Sequence, residues 1–232
     1  MLNGRYGGIN YYGGKTMYHY QFVSEKQLAP IKKDLIAIIN EVQDLLRGEF
    51  TFRFDFVGSD MLNMVTYDPK TNIGFDFDVN IEINDEECKF TEEEIKAKLM
   101  LAFKKVIRKY GYDKVENSTS VITIKYKDRQ NSKILHSCDF AIVNNYIDET
   151  GCDRQEYIRF NKKQNTYSWM ERSKGYYMLH EKAEWIKDNS YQEELRELYL
   201  DKKNHNCDKH KHSRSLYAEA VHAICQRYGF YN

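Results

Sequence analysis

The sequence predicts an α+β fold, in which helices flank a mixed β-sheet and a helical region follows it. Residues 75–83 alternate apolar and polar side chains, as a strand with one buried face does. Residues 91–110 have the pattern of a helix, with the capping-box pair Thr91 and Glu94 at its start and Gly111 after its end. Beyond about residue 160 the patterns become mainly helical, so a mixed α/β half precedes a helical half.

The other elements follow from the same spacing rules. A helix is predicted over 30–46, where apolar residues recur at helical spacing, Pro30 suits a first helical position and Gly48 suits a stop. A strand is predicted over 51–57, where three phenylalanines alternate with polar residues. Further strands are predicted near 121–126, 134–143 and 157–160, and further helices over 175–188, 191–203 and 213–228. Ser190 and Glu193 have the spacing of a cap for the helix over 191–203.

Composition indicates one good-sized domain or a domain with a small addition. The chain has 232 residues, and its two prolines and twelve glycines argue against long linkers. We therefore expect an α/β domain over residues 1–160, with a loose N-terminal arm over 1–20, and a helical region over 161–232. The 19 tyrosines suit a nucleotide pocket, although an A/T-rich genome explains them more simply.

Charge and cysteine usage narrow the function classes. Thirty-five basic residues balance thirty-five acidic ones, so generic binding to nucleic acid is not expected, although a local basic groove is compatible with this balance. No apolar segment has the length of an export signal or a membrane span, which predicts a cytoplasmic protein with no membrane partner. The cysteines are odd in number and show no CxxC spacing, as expected of reduced thiols. They are Cys88, Cys138, Cys152, Cys207 and Cys225.

Three aspartates form the candidate catalytic centre. Asp76 and Asp78 lie two residues apart in a predicted strand and therefore share one face. Adjacent carboxylates repel each other, and a hard divalent ion such as Mg²⁺ or Mn²⁺ offsets the repulsion. Asp139 lies mid-strand in an apolar segment and is the candidate third ligand of a two-metal site for displacement at phosphorus. The alternative is an exposed sheet face, on which alternating acids are ordinary.

Gly58 and Ser59 directly follow the predicted strand over 51–57. A glycine there allows the backbone to approach a ligand closely and to adopt a positive φ. The residues after it can present backbone N–H groups and a hydroxyl to phosphate oxygens. A lone Gly-Ser pair is a weak signal, but the pair followed by Asp-x-Asp on the next strand and an aspartate on a later strand is a stronger one.

Together these segments resemble the DNA polymerase β-type nucleotidyltransferase superfamily, which includes antibiotic nucleotidyltransferases and bacterial cyclic-oligonucleotide synthases. The resemblance covers roughly residues 30–145 and rests on FVGS at 56–59, FDFDV at 75–79 and the strand after Asp139. It implies a nucleotidyltransferase-type sheet, a nucleoside triphosphate as substrate and Mg²⁺ or Mn²⁺ as cofactor. It further implies that Gly58 and Ser59 contact the triphosphate.

The resemblance also assigns roles to the aspartates. Asp76 and Asp78 would bind the metals, and Asp139 would bind the catalytic metal and act as, or assist, the base on the incoming hydroxyl. Two features depart from the family pattern: the stretch from Ser59 to Asp76 is longer than usual, and Phe75 replaces the usual small residue before the first aspartate.

The helical half of such enzymes commonly closes over the triphosphate and the base, which makes Lys174 and Lys182 candidate phosphate contacts. The alternative there is a solvated basic loop with tryptophans packed in the interior. The spacing of His205, Cys207, His210 and His212 fits no closed zinc site, so a solvated loop is expected for that segment.

The sequence thus predicts a metal-dependent nucleotidyltransferase. It would transfer a nucleoside monophosphate from an NTP to a hydroxyl of a small molecule, a nucleotide or a protein, with release of pyrophosphate. The main alternative is an inactive nucleotide-binding regulator or antitoxin-like interaction module. A third possibility, a purely structural α/β protein, predicts that Asp139 lies apart from Asp76 and Asp78.

Overall fold

A computed structural model describes residues 18–71, 74–85, 89–131, 133–208 and 210–230. The chain divides into two compact units, one over Gln21–Glu181 and one that combines the N-terminal residues with the chain from Lys182 onward. Residues 1–17 of the predicted N-terminal arm lie outside the described residues, as does Cys88. In the described ranges, no helix combines the length and the apolar character needed to cross a membrane.

The strands are β1 (Gln21–Phe22), β2 (Thr51–Val57), β3 (Thr66–Tyr67), β4 (Phe75–Asn84), β5 (Tyr112–Asn117), β6 (Ile122–Asp128), β7 (Lys133–Ile147), β8 (Asp153–Asn161) and β9 (Thr166–Glu171). The helices are α1 (Glu25–Leu46), α2 (Glu92–Val106), α3 (Lys174–Asp188), α4 (Gln192–Asn204) and α5 (Ser213–Tyr228), with a 3₁₀ turn at Ile107–Tyr110. This is the predicted α+β order.

One mixed sheet organises the larger unit. Its strands run in the order β2-β4-β7-β6-β5, and β8 pairs with both β7 and β9. β4 and β7 are parallel to each other, whereas the remaining pairs are antiparallel. β7 is long enough to pair with β6 along its first part and with β8 along its last part, on the same edge. The mixed sheet predicted from the sequence is confirmed.

α1 and α2 supply the apolar layer that covers one face of this sheet. On α1, Leu35 and Ile38 are fully buried, and on α2 Leu99 and Phe103 are fully buried in the same cluster. The predicted apolar face of β4 joins them, since Phe77, Val79 and Ile81 are buried. Strand alternation therefore turns the polar face of β4 away from the core. The candidate carboxylates lie on that polar face.

The starts of two helices test the capping predictions. The box at α2 is confirmed: Glu94 N–H donates to Thr91 Oγ1 at 3.3 Å, and Thr91 N–H donates to Glu94 Oε2 at 2.8 Å. α1 begins five residues before Pro30, because Gln27 Oε1 accepts the Ser24 N–H at 3.1 Å and so caps an earlier turn. The prediction that Pro30 starts this helix is wrong, since the proline lies inside it.

The predicted cap at Ser190 is also wrong. Ser190 has a left-handed φ of 63°, and its N–H donates to the carbonyl of Lys187 at 3.0 Å. This conformation closes α3, whereas an N-cap residue needs an extended backbone. α4 instead begins after Tyr191, whose side chain makes no capping bond.

Candidate active site

Strand register brings the three aspartates together. Asp139 on β7 is the register partner of Asp78 on the parallel strand β4, and Ser137 is the partner of Asp76. Neighbouring strands lie about 4.8 Å apart, so all three aspartates occupy adjacent positions on one face. A purely structural α/β protein, the third possibility above, predicts that Asp139 lies apart from Asp76 and Asp78. The register does not agree with that prediction.

Gly58 lies directly beside Asp78. Val57 and Asp78 are register partners in the β2–β4 pair, so Gly58 is the first residue beyond the strand end. Gly58 has a φ of 68°, and a Cβ added there would lie 2.8 Å from Asp78 Oδ2. Both the left-handed backbone and the close approach require glycine. The turn that follows is closed by a hydrogen bond from Met64 N–H to the Ser59 carbonyl at 2.8 Å.

Asp60 anchors this turn to α1. The Nζ of Lys32 donates to the Asp60 carboxylate at 2.5 Å, and the exposed fraction of the Asp60 side chain is only 5%. The same Nζ lies 4.6 Å from the centroid of the Phe56 ring. The pair was not predicted from the sequence, because its partners are 28 residues apart. Its only local signal is an acidic residue directly after Gly58-Ser59.

Two hydroxyls hold two of the aspartates. Thr123 Oγ1 on β6 donates to Asp139 Oδ1 at 2.6 Å, and Ser137 Oγ on β7 donates to Asp76 Oδ1. Neither hydroxyl was predicted from the sequence. The available signal was weak: Ser137 lies two residues before Asp139, on the same face of one strand. The partnership of Thr123 depends on the register of a separate strand.

The shifted pKa values of Asp139 and Cys138 indicate that negative charge is concentrated at this site. Burial raises the pKa of Asp139, and the nearby charge of Asp76 raises it further, while the Thr123 hydrogen bond acts in the opposite direction. Cys138 lies on the other face of β7, fully buried, and its thiol pKa is raised well above the ordinary value by burial and by the surrounding carboxylates. A divalent cation would relieve this repulsion.

The residues fit a hard divalent ion by ligand type. Carboxylate oxygens are ligands that Mg²⁺ and Mn²⁺ prefer, and three carboxylates share one face at adjacent register positions. In the ranges that the structure describes, no three acidic, histidine or cysteine side chains form a closed cluster around one point.

The two candidate lysines belong to different units. Lys174 is the exposed first residue of α3 in the larger unit, and Lys182 belongs to the second unit. Their role as phosphate contacts stays a prediction. The nearby Arg172 lies 4.4 Å from the Tyr157 ring and 5.0 Å from the Tyr176 ring, so aromatic faces there pack against the protein's own guanidinium.

Comparison with solved structures identifies the class of fold. No protein-family model and no curated protein sequence matches this chain. Its fold is similar to that of solved bacterial cyclic-dinucleotide synthases, in agreement with the nucleotidyltransferase-type fold predicted from the sequence.

Two such enzymes illustrate the likeness. The STING-associated CdnE c-di-GMP synthase of Capnocytophaga granulosa is similar with a TM-score of 0.56 and 16% identity, over 91% of this chain and 64% of that one. The DncV cyclic AMP-GMP synthase of Vibrio cholerae, in complex with a linear intermediate, has a TM-score of 0.52 and 11% identity, over 77% of this chain and 60% of that one. This chain therefore matches less than two thirds of the length of either enzyme.

Proposed function

We propose that this protein is a metal-dependent nucleotidyltransferase. It would transfer a nucleoside monophosphate from a nucleoside triphosphate to a hydroxyl and release pyrophosphate. The observation that carries the proposal is the register that sets Asp139 beside Asp78, with Gly58 at the end of the strand on the other side of Asp78. The likeness of the fold to nucleotidyltransferases supports it.

Each part of the site has a distinct role in this reaction. The turn after β2 would bind the triphosphate through backbone N–H groups and the Ser59 hydroxyl, and the bond from Lys32 to Asp60 would hold the turn in place. Asp76, Asp78 and Asp139 would hold Mg²⁺ or Mn²⁺, which, when bound, neutralises charge on the triphosphate and on the departing pyrophosphate. Lys174, the exposed first residue of α3, would add a phosphate contact.

Asp139 would orient the acceptor hydroxyl and accept its proton. The hydroxyl oxygen forms the new bond to the α-phosphorus, and the bond from that phosphorus to pyrophosphate breaks. A carboxylate within hydrogen-bonding reach of a hydroxyl can act as its general base. Asp139 is the register partner of Asp78, so this base and the other metal ligands share one face of the sheet.

A second nucleotide is the acceptor that we favour over another small molecule or a protein. The two similar enzymes are named as synthases of cyclic dinucleotides, products that require a nucleotide hydroxyl as acceptor. The balanced charge of the chain also argues against a long polynucleotide. The reaction would take place in the cytoplasm, where triphosphates are available and buried thiols such as Cys138 stay reduced.

The experiment that tests the proposal is incubation with each labelled NTP and Mg²⁺ or Mn²⁺, followed by separation of pyrophosphate and nucleotide products. Asp78→Asn should lower product formation by about 10²–10³-fold, the range for loss of one group that stabilises a transition state. Asp44→Asn is the matched control, because Asp44 is an exposed residue near the end of α1, in the helical layer rather than on the polar face of the sheet.

Two results would contradict the proposal. One is the absence of product from every NTP with either metal, which would favour an inactive nucleotide-binding regulator. The other is an Asp78→Asn protein that is as active as the unmodified protein, which would remove Asp78 from the reaction.

A further inference from the structure

Thr123 and Ser137 hold the carboxylates from the neighbouring strands. Thr123 is the register partner of Asp139 in the β6–β7 pair, and Ser137 is the partner of Asp76 in the β7–β4 pair. Each hydroxyl donates to the Oδ1 atom of its aspartate. Among the described residues no hydrogen bond reaches the Oδ2 atom of either Asp76 or Asp139. In each of these two carboxylates, Oδ1 thus accepts a hydrogen bond and Oδ2 accepts none from the described part of the chain.

Burial makes these two hydrogen bonds persistent. Thr123 and Ser137 are each only 7% exposed, so water cannot readily replace the aspartate as the acceptor for the hydroxyl. The terminal torsion of an aspartate is otherwise broad, and the carboxylate can turn. A hydrogen bond between a hydroxyl and a charged carboxylate is also among the stronger ones in proteins. The two hydroxyls therefore fix the orientation of the carboxylates before any cation binds.

This orientation has a consequence for metal choice. With one lone pair of Oδ1 taken by a hydroxyl, Oδ2 is the preferred donor of Asp76 and of Asp139 to a cation, and binding through both oxygens is disfavoured. Mg²⁺ takes six ligands at about 2.1 Å and is commonly bound by one or two carboxylates together with waters and phosphates. Ca²⁺ takes more ligands at longer distances, and it often binds both oxygens of a carboxylate. Single-oxygen donation suits the smaller ion.

We propose that Thr123 and Ser137 are positioning residues of the metal site, and that they select a small octahedral cation over Ca²⁺. The inference rests on the proposed function, because it concerns the same carboxylates. Neither residue would touch the substrate. They act by holding one oxygen of each aspartate and presenting the other.

The test is direct metal binding, measured without turnover. Mn²⁺ and Ca²⁺ are titrated by calorimetry into the unmodified full chain and into Thr123→Val, which keeps the shape of the side chain and removes its hydroxyl. We expect Mn²⁺ affinity to fall by about 10–100-fold, as is typical when a residue that supports a metal ligand is lost. Ca²⁺ affinity should fall less, because Asp139 can then bind through both oxygens.

Two further variants separate positioning from general damage. Thr123→Ser keeps the hydroxyl and should restore most of the Mn²⁺ affinity. Thr119→Val makes the same chemical change in the turn before β6 and should leave affinity unchanged. If circular dichroism shows that Thr123→Val does not fold, Ser137→Ala with Ser137→Thr as its conservative partner gives the same comparison.

The outcomes distinguish this inference from the proposed function. Equal Mn²⁺ affinity and equal preference over Ca²⁺ in the unmodified protein and in a folded hydroxyl-free variant would overturn the positioning role, even if the protein makes product from NTP. An unmodified protein that neither binds Mn²⁺ nor makes product would overturn the proposed function itself.

Discussion

At the scale of single residues, Gly58 has the most demanding position in the site. It combines a left-handed φ with a distance of 2.8 Å between its missing Cβ and Asp78 Oδ2. Gly58→Ala should therefore lower the free energy of unfolding by about 1–3 kcal/mol, the usual cost of such a backbone for a residue with a side chain. It should also displace the Asp78 carboxylate and reduce nucleotidyl transfer sharply. Urea denaturation and product assays measure the two effects.

Gly48→Ala is the matched control for this prediction. An added Cβ at Gly48, just after α1, meets no atom within 4 Å, and its backbone is not left-handed. This variant should unfold and react like the unmodified protein. If Gly58→Ala does the same, the turn does not have the geometry described.

At the scale of elements, His136 links β7 to its neighbours through rings. Its imidazole stacks on Tyr126 at 4.9 Å and on Phe75 at 5.6 Å, and its Nε2 lies 3.0 Å from the Tyr112 hydroxyl. Burial lowers the pKa of His136 to about 4 from an ordinary value of 6.5. The unfolded chain therefore binds the proton first as the pH falls. The contribution of neutral His136 to the free energy of unfolding is therefore fully present above pH 6.5. It is lost progressively as the pH falls from 6.5 towards 4.

The predicted loss is at most about 3 kcal/mol over that pH range. Urea unfolding at pH 7.5, 5.5 and 4.5 measures it. His136→Phe removes the titrating group, so its unfolding free energy should decline less on acidification, even though carboxylates contribute to both proteins. Identical pH dependence in the two proteins would show that His136 does not resist protonation in the folded state.

At the scale of the whole molecule, ligand binding should raise thermal stability. A ligand that binds only the folded state at 100 times its Kd adds about 2.7 kcal/mol, which for a chain of this size corresponds to about 5–10 °C in Tm. We expect this shift with NTP and Mn²⁺ together, and a smaller one with either alone, because the metal links the carboxylates to the phosphates. Differential scanning fluorimetry gives the measurement.

The double variant Asp76→Asn with Asp78→Asn is the comparison for that experiment. This variant should fold. It should lose the rise in Tm that NTP and Mn²⁺ cause together, because amides are weaker ligands than carboxylates for a hard cation. A Tm that does not respond to any NTP with metal would argue against a nucleotide site in this chain.

Elements with strong periodicity could be predicted from the sequence, and weakly patterned ones could not. β2 and α5 have the predicted bounds, because alternating phenylalanines and a regular apolar stripe mark them. β5 was missed, since YDKVEN contains few apolar residues. β9 was missed because it is mostly exposed and is ordered by pairing with β8. This pairing extends the sheet to Glu171, past the boundary expected at residue 160.

The sequence by itself determined that Asp76 and Asp78 share a face and that a glycine ends the strand before them, because alternation and backbone freedom are local properties. Only the tertiary structure decided which side chains surround them. The positions of Asp139, Ser137 and Thr123 depend on how β4, β7 and β6 align, and the bond from Lys32 to Asp60 depends on how α1 packs. Register between strands distant in sequence is a property of the assembled sheet and its core, so no local pattern encodes it.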